Sequence, residues 1–556
     1  MESQESIPLQ YLSEEDAWNL FAKKARKSFE EGTEFYDVAR MVARECAGLP
    51  IALIAVARVL GDKGLEDWKA AAVRLKAAQP ANYEDKGDVL KCIKLSYDYL
   101  RSDEERSFFL LCCLFPEDYD IPVEGLFMYA IGKGLFQDAC TIIEARDRAH
   151  SVANYIKASS LLMDSEYKGC VRMHDVIRDV AISISLLEDD SRFFVKAGRG
   201  LRHWPRIKAH EGYSAISLMR NEIYKLPKEP VCPELRILLL QCNLIDEIPK
   251  TFFPSPNKLR VLDLSGTSVS SLPSSVSLLT NLQALYLDDC KRIVDISILG
   301  NLKNLQILSM KNLQIINKRG VRCKEMPKEI GRLASLKMLD VTDACFQTVP
   351  SNVISNLDEL EELYMTCDFC DWGGSNRLEL GPIFFAVGKN ASFDELTGLS
   401  RLNSLKVHIG DAKCLPQSVR NNPNWVNFNI CISNKDFLSR SYYRRFLERK
   451  LTDKLDPRCF RYVTLNTSIK FIPHWFINVV MEKAEMLEYI GYNSLSNILE
   501  EYDRGRLYSL KYLAISDCGV QGMLMYSRIR NEAVFESLEE LYLEEVYQLV
   551  GGIMRW

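Results

Sequence analysis

No stretch of this sequence is apolar for long enough to cross a bilayer. The longest run, Leu49 to Leu60, is interrupted by Arg58 and falls short of the ~20 residues a spanning helix needs. Met1 to Asp16 is polar and acidic, without the basic start and apolar run of a secretory signal. There is no excess of positive charge either. Seventy Lys and Arg face 75 Asp and Glu, a net charge of −5, which removes any whole-chain case for nucleic-acid binding and leaves only local basic patches. Catalytic signatures are missing. No G-x-x-x-x-G-K-[ST] occurs: Lys133 follows Gly132 but position 127 is Phe, and Lys389 follows Gly388 but position 383 is Ile. There is no H-E-x-x-H and no G-x-S-x-G, and the six histidines form no metal set. The seventeen cysteines lack pattern: an odd number, irregularly spaced, many inside apolar runs such as Leu110-Leu-Cys-Cys-Leu114. That suits buried thiols in a reducing compartment better than a disulfide framework. Cys367-Asp-Phe-Cys370 is the single C-x-x-C, without a second pair at zinc spacing, and reads as two thiols in an irregular loop.

What the chain has is self-similarity. Leu235-Arg-Ile-Leu-Leu-Leu240, Leu259-Arg-Val-Leu-Asp-Leu264, Leu282-Gln-Ala-Leu-Tyr-Leu287 and Leu305-Gln-Ile-Leu-Ser-Met310 align, and Leu336–Val341 and Leu360–Met365 continue the series. The pattern L-x-x-L-x-L returns at the period of leucine-rich repeats, with one insertion between Leu305 and Leu336. Alternate residues of each short strand point inward, but no single repeat can enclose its own leucines, so stacked neighbours must supply the wall. Apolar-proline pairs such as Ile248-Pro249, Leu272-Pro273, Met326-Pro327 and Val349-Pro350 set the return paths. The regular asparagine and glycine-x-isoleucine-proline spacing of plant extracellular receptor repeats is missing. Beyond Cys370 the repeats turn irregular, resurfacing at Leu405, Leu487, Leu510 and Leu538. Residues at the x positions should decorate the concave face: Arg236, Arg260, Gln283, Tyr286, Gln306, Lys337, Glu361, Glu362 and Tyr364. Mixed charge with tyrosine suits a protein partner.

Before about residue 200 the period becomes helical. Asp37 to Gly48 reads as a helix with an aspartate cap, and Pro50 opens the next, Ile51 to Leu60. Ser102-Asp-Glu-Glu105 is a capping box. Helices are predicted over 123–131 and 141–161, then a strand over 169–173 and a last helix over 175–185.

Three motifs then stand in order ahead of the repeats: Gly48-Leu-Pro-Ile-Ala52, Cys113-Leu-Phe-Pro-Glu-Asp118 and Met173-His-Asp175, with Trp18-Asn-Leu-Phe21 before them. Together they resemble the plant nucleotide-binding leucine-rich-repeat (NB-ARC-LRR) immune receptors of the coiled-coil type, over nearly the whole chain. The resemblance implies a multidomain protein: an α-helical bundle plus winged helix, an NB-ARC remnant, followed by an α/β leucine-rich-repeat solenoid. Residues 1–80 would be the helical part of the NB-ARC module and 81–200 its winged-helix domain. Residues 201–556 would be the repeats, truncated at the C-terminus. In that family Pro50 would lie against the adenine base and His174 would reach the β-phosphate of ADP. A proline ring offers a base an apolar surface, and an imidazole can donate a hydrogen bond to phosphate. Without the family, a proline at a helix start and a lone histidine need no ligand. The Walker A and Walker B parts would lie upstream of Trp18, so the chain is expected to be N-terminally truncated, to catalyse nothing and to hold neither ADP nor ATP tightly.

The expected function is that of a cytoplasmic immune receptor whose repeats recognise a pathogen effector or a guarded host protein. A nucleotide-free repeat scaffold or decoy is the alternative. A winged-helix DNA-binding protein is a third reading, opposed by the acidic run Asp103-Glu-Glu105. The basic segment Arg440–Arg458 reads as a solvated connection between repeats, and Asn390-Ala-Ser392 and Asn466-Thr-Ser468 match glycosylation sequons that matter only on secretion.

Overall fold

The computed structural model of the chain describes residues 11–77, 87–188, 192–207, 212–229, 232–253, 257–316, 322–366, 369–373, 375–380, 383–433, 460–467, 471–490, 507, 509–516 and 537–544. Cys367 and the basic segment 440–458 lie outside them. The chain divides into two units. One comprises Met1–Leu201, Ile207–Asn221 and Val231–Leu239; the other comprises Arg202–Arg206, Glu222–Pro230 and Leu240–Trp556.

The first unit opens with α1 (Glu14–Ala25), α2 (Glu34–Glu45), α3 (Pro50–Leu60), α4 (Leu65–Ala77) and α5 (Gly87–Asp98). Each start has a chemical cause. Ser13 caps α1 by accepting the amide of Asp16, and Thr33 caps α2 by accepting that of Tyr36. The cap of α2 is therefore Thr33 and not Asp37, which lies within the first turn, where its charge favours the helix dipole. These helices close on an aromatic centre in which Trp68 meets Phe21, Phe29 and Phe35 edge-on. Its indole N–H donates to the Leu60 carbonyl at 2.9 Å.

The helices α6 (Asp103–Cys112), α7 (Val123–Lys133), α8 (Ile142–Ala158) and α9 (Asp175–Leu187) follow, with strands β1 (Ile121–Pro122), β2 (Met163–Asp164) and β3 (Cys170–Arg172) between them. The strands form an antiparallel sheet in the order β1-β3-β2. A helix, a short strand, two helices and a hairpin is the element order of a winged helix. Ser102 caps α6 through Glu105, whose carboxylate accepts the Arg101 amide one residue before the cap.

Strands β4 (Phe193–Val195), β5 (Ala215–Ser217) and β6 (Ile237–Leu239) complete this unit as a parallel set. The first two were not legible as repeats, because Ser191 and Tyr213 stand where the pattern wants its first leucine.

The second unit is a solenoid that begins with β7 (Val261–Asp263), β8 (Ala284–Tyr286) and β9 (Ile307–Ser309). The insertion after β9 is a small antiparallel hairpin, β10 (Ile315–Ile316) with β11 (Arg322–Cys323). Next come β12 (Met338–Asp340), β13 (Glu362–Met365), an antiparallel pair β14 (Ser375–Leu380) and β15 (Ile383–Lys389), then β16 (Ser404–Ile409) and β17 (Asn427–Ile432). The last strands are β18 (Arg461–Leu465), β19 (Met486–Ile490), β20 (Tyr512–Ser516) and β21 (Glu540–Glu544). Leaving out the two hairpins, each strand pairs in parallel with the next. Leu259, Leu262, Leu264, Leu282, Leu285, Leu287, Leu305 and Leu308 are all buried, as the stacking argument requires. Strands β17 and β18 carry no leucine signature and escaped the sequence pattern. An aromatic series, Phe369, Trp372, Phe393, Trp425 and Trp475, lines the core of these irregular turns with centroids 4.8 to 6.3 Å apart.

The turn after each of β5 to β9 and β12 is stereotyped. Three residues past the strand end, Arg220, Cys242, Gly266, Asp289, Asn312 and Asp343 all take positive φ, from 52° to 66°. Glycine, asparagine and aspartate suit that geometry; arginine and cysteine do not. The next residue points inward. Asn221 and Asn243 fill that place, their amides donating to the Leu218 and Leu240 carbonyls, and Thr267 and Cys290 take it over in later turns. Among the described turns with this geometry the asparagine stands in two and is replaced in the later ones. Asn281 and Asn304, each preceding a first leucine, donate to the Asn257 and Thr280 carbonyls 24 residues back and stitch successive turns.

Candidate functional site

The glycine of the Gly48-Leu-Pro motif has a backbone reason. Its φ is +70°, and a Cβ there would stand 2.7 Å from the Leu12 carbonyl oxygen. The same peptide is tied by the Leu12 amide, which donates to the Gly48 carbonyl at 3.1 Å. Chain reversal at Ala47 and Gly48, both of positive φ, sets Pro50 at the first position of α3. No side chain caps that helix, and Pro50 is exposed. Beside Gly48 a cleft of about 250 Å³ runs along α1 and α2, lined among others by Trp18, Arg40 and Arg44. Arg40 stacks on Trp18 at 4.9 Å, and the two guanidiniums pair with Glu15 and Glu14. The Arg44 hydrogen bond holds the Glu14 carboxyl below its ordinary range.

His174 is the N-cap of α9. Its Nδ1 accepts the Val176 amide at 3.2 Å, and the ring is exposed. An imidazole that accepts through Nδ1 is neutral with its proton on Nε2, so Nε2–H is a donor at the start of a helix. Beside it the Oδ1 of Asp175 is buried without a hydrogen-bond partner among the described residues. One turn on, Arg178 is buried at 3 % exposure, with Nε donating to the Phe115 carbonyl at 2.7 Å. Burial lowers its pKa, opposed by Cys113 and Glu117. The Cys113-Leu-Phe-Pro-Glu-Asp118 and Met173-His-Asp175 motifs are therefore packed together, a proximity that spacing in the sequence could not show.

In α8, the helix that a winged-helix DNA reader would place in a groove, Arg146 pairs with Glu124 and Arg148 with Glu104 and Asp138. Burial would raise the Glu124 carboxyl, but His150 and Arg146 outweigh it and hold it low.

On the repeat strands the residues expected at the concave face divide. Arg236, in the first unit, is half-buried. In the second unit Arg260, Gln283, Gln306, Lys337 and Tyr364 are half-buried, whereas Tyr286, Glu361 and Glu362 are buried at 3 %, 3 % and 0 % exposure. Lys337 reaches Glu361 at 3.5 Å, and the Tyr364 hydroxyl donates to Glu362 at 3.0 Å. These glutamates serve the internal ladder; they present no surface to a partner in this conformation. Of the sequon asparagines, Asn390 is buried with its amide on the Asp371 carbonyl, and Asn466 donates to the Ile490 carbonyl. Cys46, Cys92, Cys112, Cys113, Cys290, Cys370 and Cys431 are buried thiols outside any disulfide.

A family model described as "Leucine rich repeat" matches residues 233–291. Disease resistance protein At4g27190 of Arabidopsis thaliana is 30% identical over 458 residues, 80% of this chain and 44% of that protein. Disease resistance protein RPS5 of the same plant is 31% identical over 369 residues, 62% of this chain and 41% of its own length. Disease resistance protein SUMM2 is 35% identical over 288 residues, 50% and 31%. The chain is a homologue of plant disease resistance proteins. It spans less than half the length of each of these relatives. Among solved structures, a leucine-rich-repeat protein of Leptospira interrogans is 19% identical and covers 66% of this chain and 80% of its own, with a TM-score of 0.38. At that score the likeness adds nothing to what the parallel strand ladder shows directly. No described helix of this disease-resistance homologue is long and apolar enough to cross a membrane.

Proposed function

We propose that this chain acts in plant defence as part of a cytoplasmic immune receptor. Its repeats recognise a pathogen effector or a guarded host protein. Its helices belong to a switch module in which Pro50 meets the adenine of ADP and His174 a phosphate. Residues 1–80 serve as the helical part of that module, and 81–200 as its winged-helix part. Partner binding at the repeats biases one of two states, and nucleotide biases the other. The observation that carries the reading is the ordered motif set ahead of a parallel repeat ladder, with His174 capping α9 so that Nε2–H remains a donor. The orphaned Oδ1 of Asp175 beside it supports a site completed by a further group. The half-buried Arg260, Gln283, Gln306 and Lys337 are the repeat-face residues proposed for partner contact.

Binding of candidate effectors and host proteins to the purified chain tests the reading. Loss of a specific partner on Gln283→Ala or Lys337→Ala, with no loss on Pro50→Ala, is expected. A partner whose binding depends on Pro50 and is indifferent to the repeat face would overturn it.

A further inference from the structure

The Glu117 carboxylate stands between two arginines from different parts of the first unit. Its Oε1 accepts a hydrogen bond from Nη2 of Arg199, in the turn after β4, and lies 3.6 Å from Nη1 of Arg178, in the first turn of α9. Both arginines are anchored at their far ends. The Arg178 amide donates to the His174 carbonyl at 2.9 Å, and its Nε donates to the Phe115 carbonyl. The Arg199 amide donates to Oδ1 of Asn221 at 3.0 Å, and Nδ2 of Asn221 holds the Lys196 and Leu218 carbonyls at 2.8 Å each. The segment between is held as well. The Leu114 carbonyl accepts the buried Ser217 hydroxyl, and a Cβ on Gly198, which has φ +67°, would meet Pro116 at 3.2 Å. A continuous series of contacts therefore runs from the inward asparagine of a repeat turn to the cap residue of α9.

We infer that Glu117 is a shared carboxylate through which the first repeat turn and the start of α9 compete for one negative charge. Two guanidiniums cannot both be neutralised by one carboxylate, and like charges this close repel. The proximity of Arg199 is one of the influences that lower the pKa of buried Arg178, alongside the larger effect of burial. With the turn in place, Arg199 holds the carboxylate by the closer contact and Arg178 by the longer one. A displacement of residues 196–201 frees the carboxylate for Arg178 and tightens the first turn of α9, where His174 sits. The repeat end is thereby read at the helix start with opposite sign. Any consequence for nucleotide at His174 rests on the proposed function; the competition itself does not.

Amide hydrogen exchange on the whole chain, without nucleotide, tests it. Glu117→Gln removes the shared charge, and exchange is expected to speed up by about threefold or more at both 175–178 and 196–201. Arg199→Ala removes a half-exposed side chain and should fold. It is expected to speed exchange at 196–201 and to slow it at 175–178, a sign that simple loss of packing does not produce. Arg202→Ala, which breaks the neighbouring exposed Arg202–Glu222 pair, should leave 175–178 unchanged. Faster or unaltered exchange at 175–178 in Arg199→Ala would overturn the competition, as would a Glu117→Gln effect confined to 113–118. Because no ligand is used, these outcomes are independent of whether ADP binds.

Discussion

The Ser217 hydroxyl donates to the Leu114 carbonyl at 2.6 Å, joining the end of β5 to the residue two past α6 across 103 positions of sequence. Ser217 is fully buried. Removing the donor by Ser217→Ala strands a buried carbonyl at a cost of roughly 1–3 kcal/mol. Chemical denaturation of the chain should show that loss, and exchange at Phe115 should rise with it. An unchanged midpoint would mean that water replaces the hydroxyl.

Leu285 lies at the centre of β8 with 1 % of its surface exposed, between Leu262 and Leu308 in register. Leu285→Ala should cost roughly 2–5 kcal/mol, because the neighbouring turns cannot collapse into the cavity without breaking their own strand pairing. Thermal unfolding of the variant measures it.

Burial raises the Asp288 carboxyl to about 6, against the opposing pull of Lys311 and the Ser309 hydroxyl and with a further push from Asp340. The unfolded chain ionises the same group near pH 3.9. A raised acid binds its proton more tightly in the folded state. Its stabilising share is therefore full below about pH 4 and lost as the pH rises through about 6. Asp288→Asn should raise the melting temperature at pH 7.5, by an amount equivalent to at most about 2 kcal/mol once partial exposure is allowed for. The gain should disappear near pH 3.5. An equal gain at both pH values would remove the protonation argument.

Cys242 is exposed and holds φ 57°, where its turn-mates at 289, 312 and 343 are aspartate or asparagine. Cys242→Asn should stabilise the chain by roughly 0.5–1 kcal/mol, since asparagine tolerates the left-handed region that cysteine resists. At Gly266 the same turn position forbids the reverse. A Cβ there would meet the Cys242 sulfur at 3.3 Å, so Gly266→Ala should destabilise. Parallel melting curves of the two variants give the comparison.

The 556-residue chain has Pro50 and His174 but no Walker A motif. The two contacts proposed for them, worth about 1–3 kcal/mol each, do not overcome the estimated 4–15 kcal/mol cost of association. Calorimetry should find ADP binding no tighter than about millimolar. A micromolar affinity lost in His174→Ala would show a nearly complete site.

The leucine repeat, the Ser102 cap of α6 and the proline that opens α3 are local chemistry, and the sequence by itself determined them. A strand of alternating leucines must find stacked neighbours, and a helix must begin where a side chain can take its first amides. Asp37 and Thr33 both have the chemistry of a cap for α2, and only the fold decides which residue leaves the helix. Strands β4, β5, β17 and β18 were not legible, since Tyr213, Asn427 and Arg461 stand where a leucine pattern would announce them. Their places were decided by pairing with strands already formed. The exposure of the expected partner face was likewise a tertiary matter. Glu361 and Glu362 look like surface residues in any sequence, yet neighbouring turns bury both, and Lys337 and Tyr364 satisfy them. The meeting of Glu117 with Arg178 and Arg199 joins positions 61 and 82 residues away from it. No local pattern encodes such a distance. It exists because the sheet returns residues 193–217 to the end of α6, where one carboxylate is within reach of two guanidiniums.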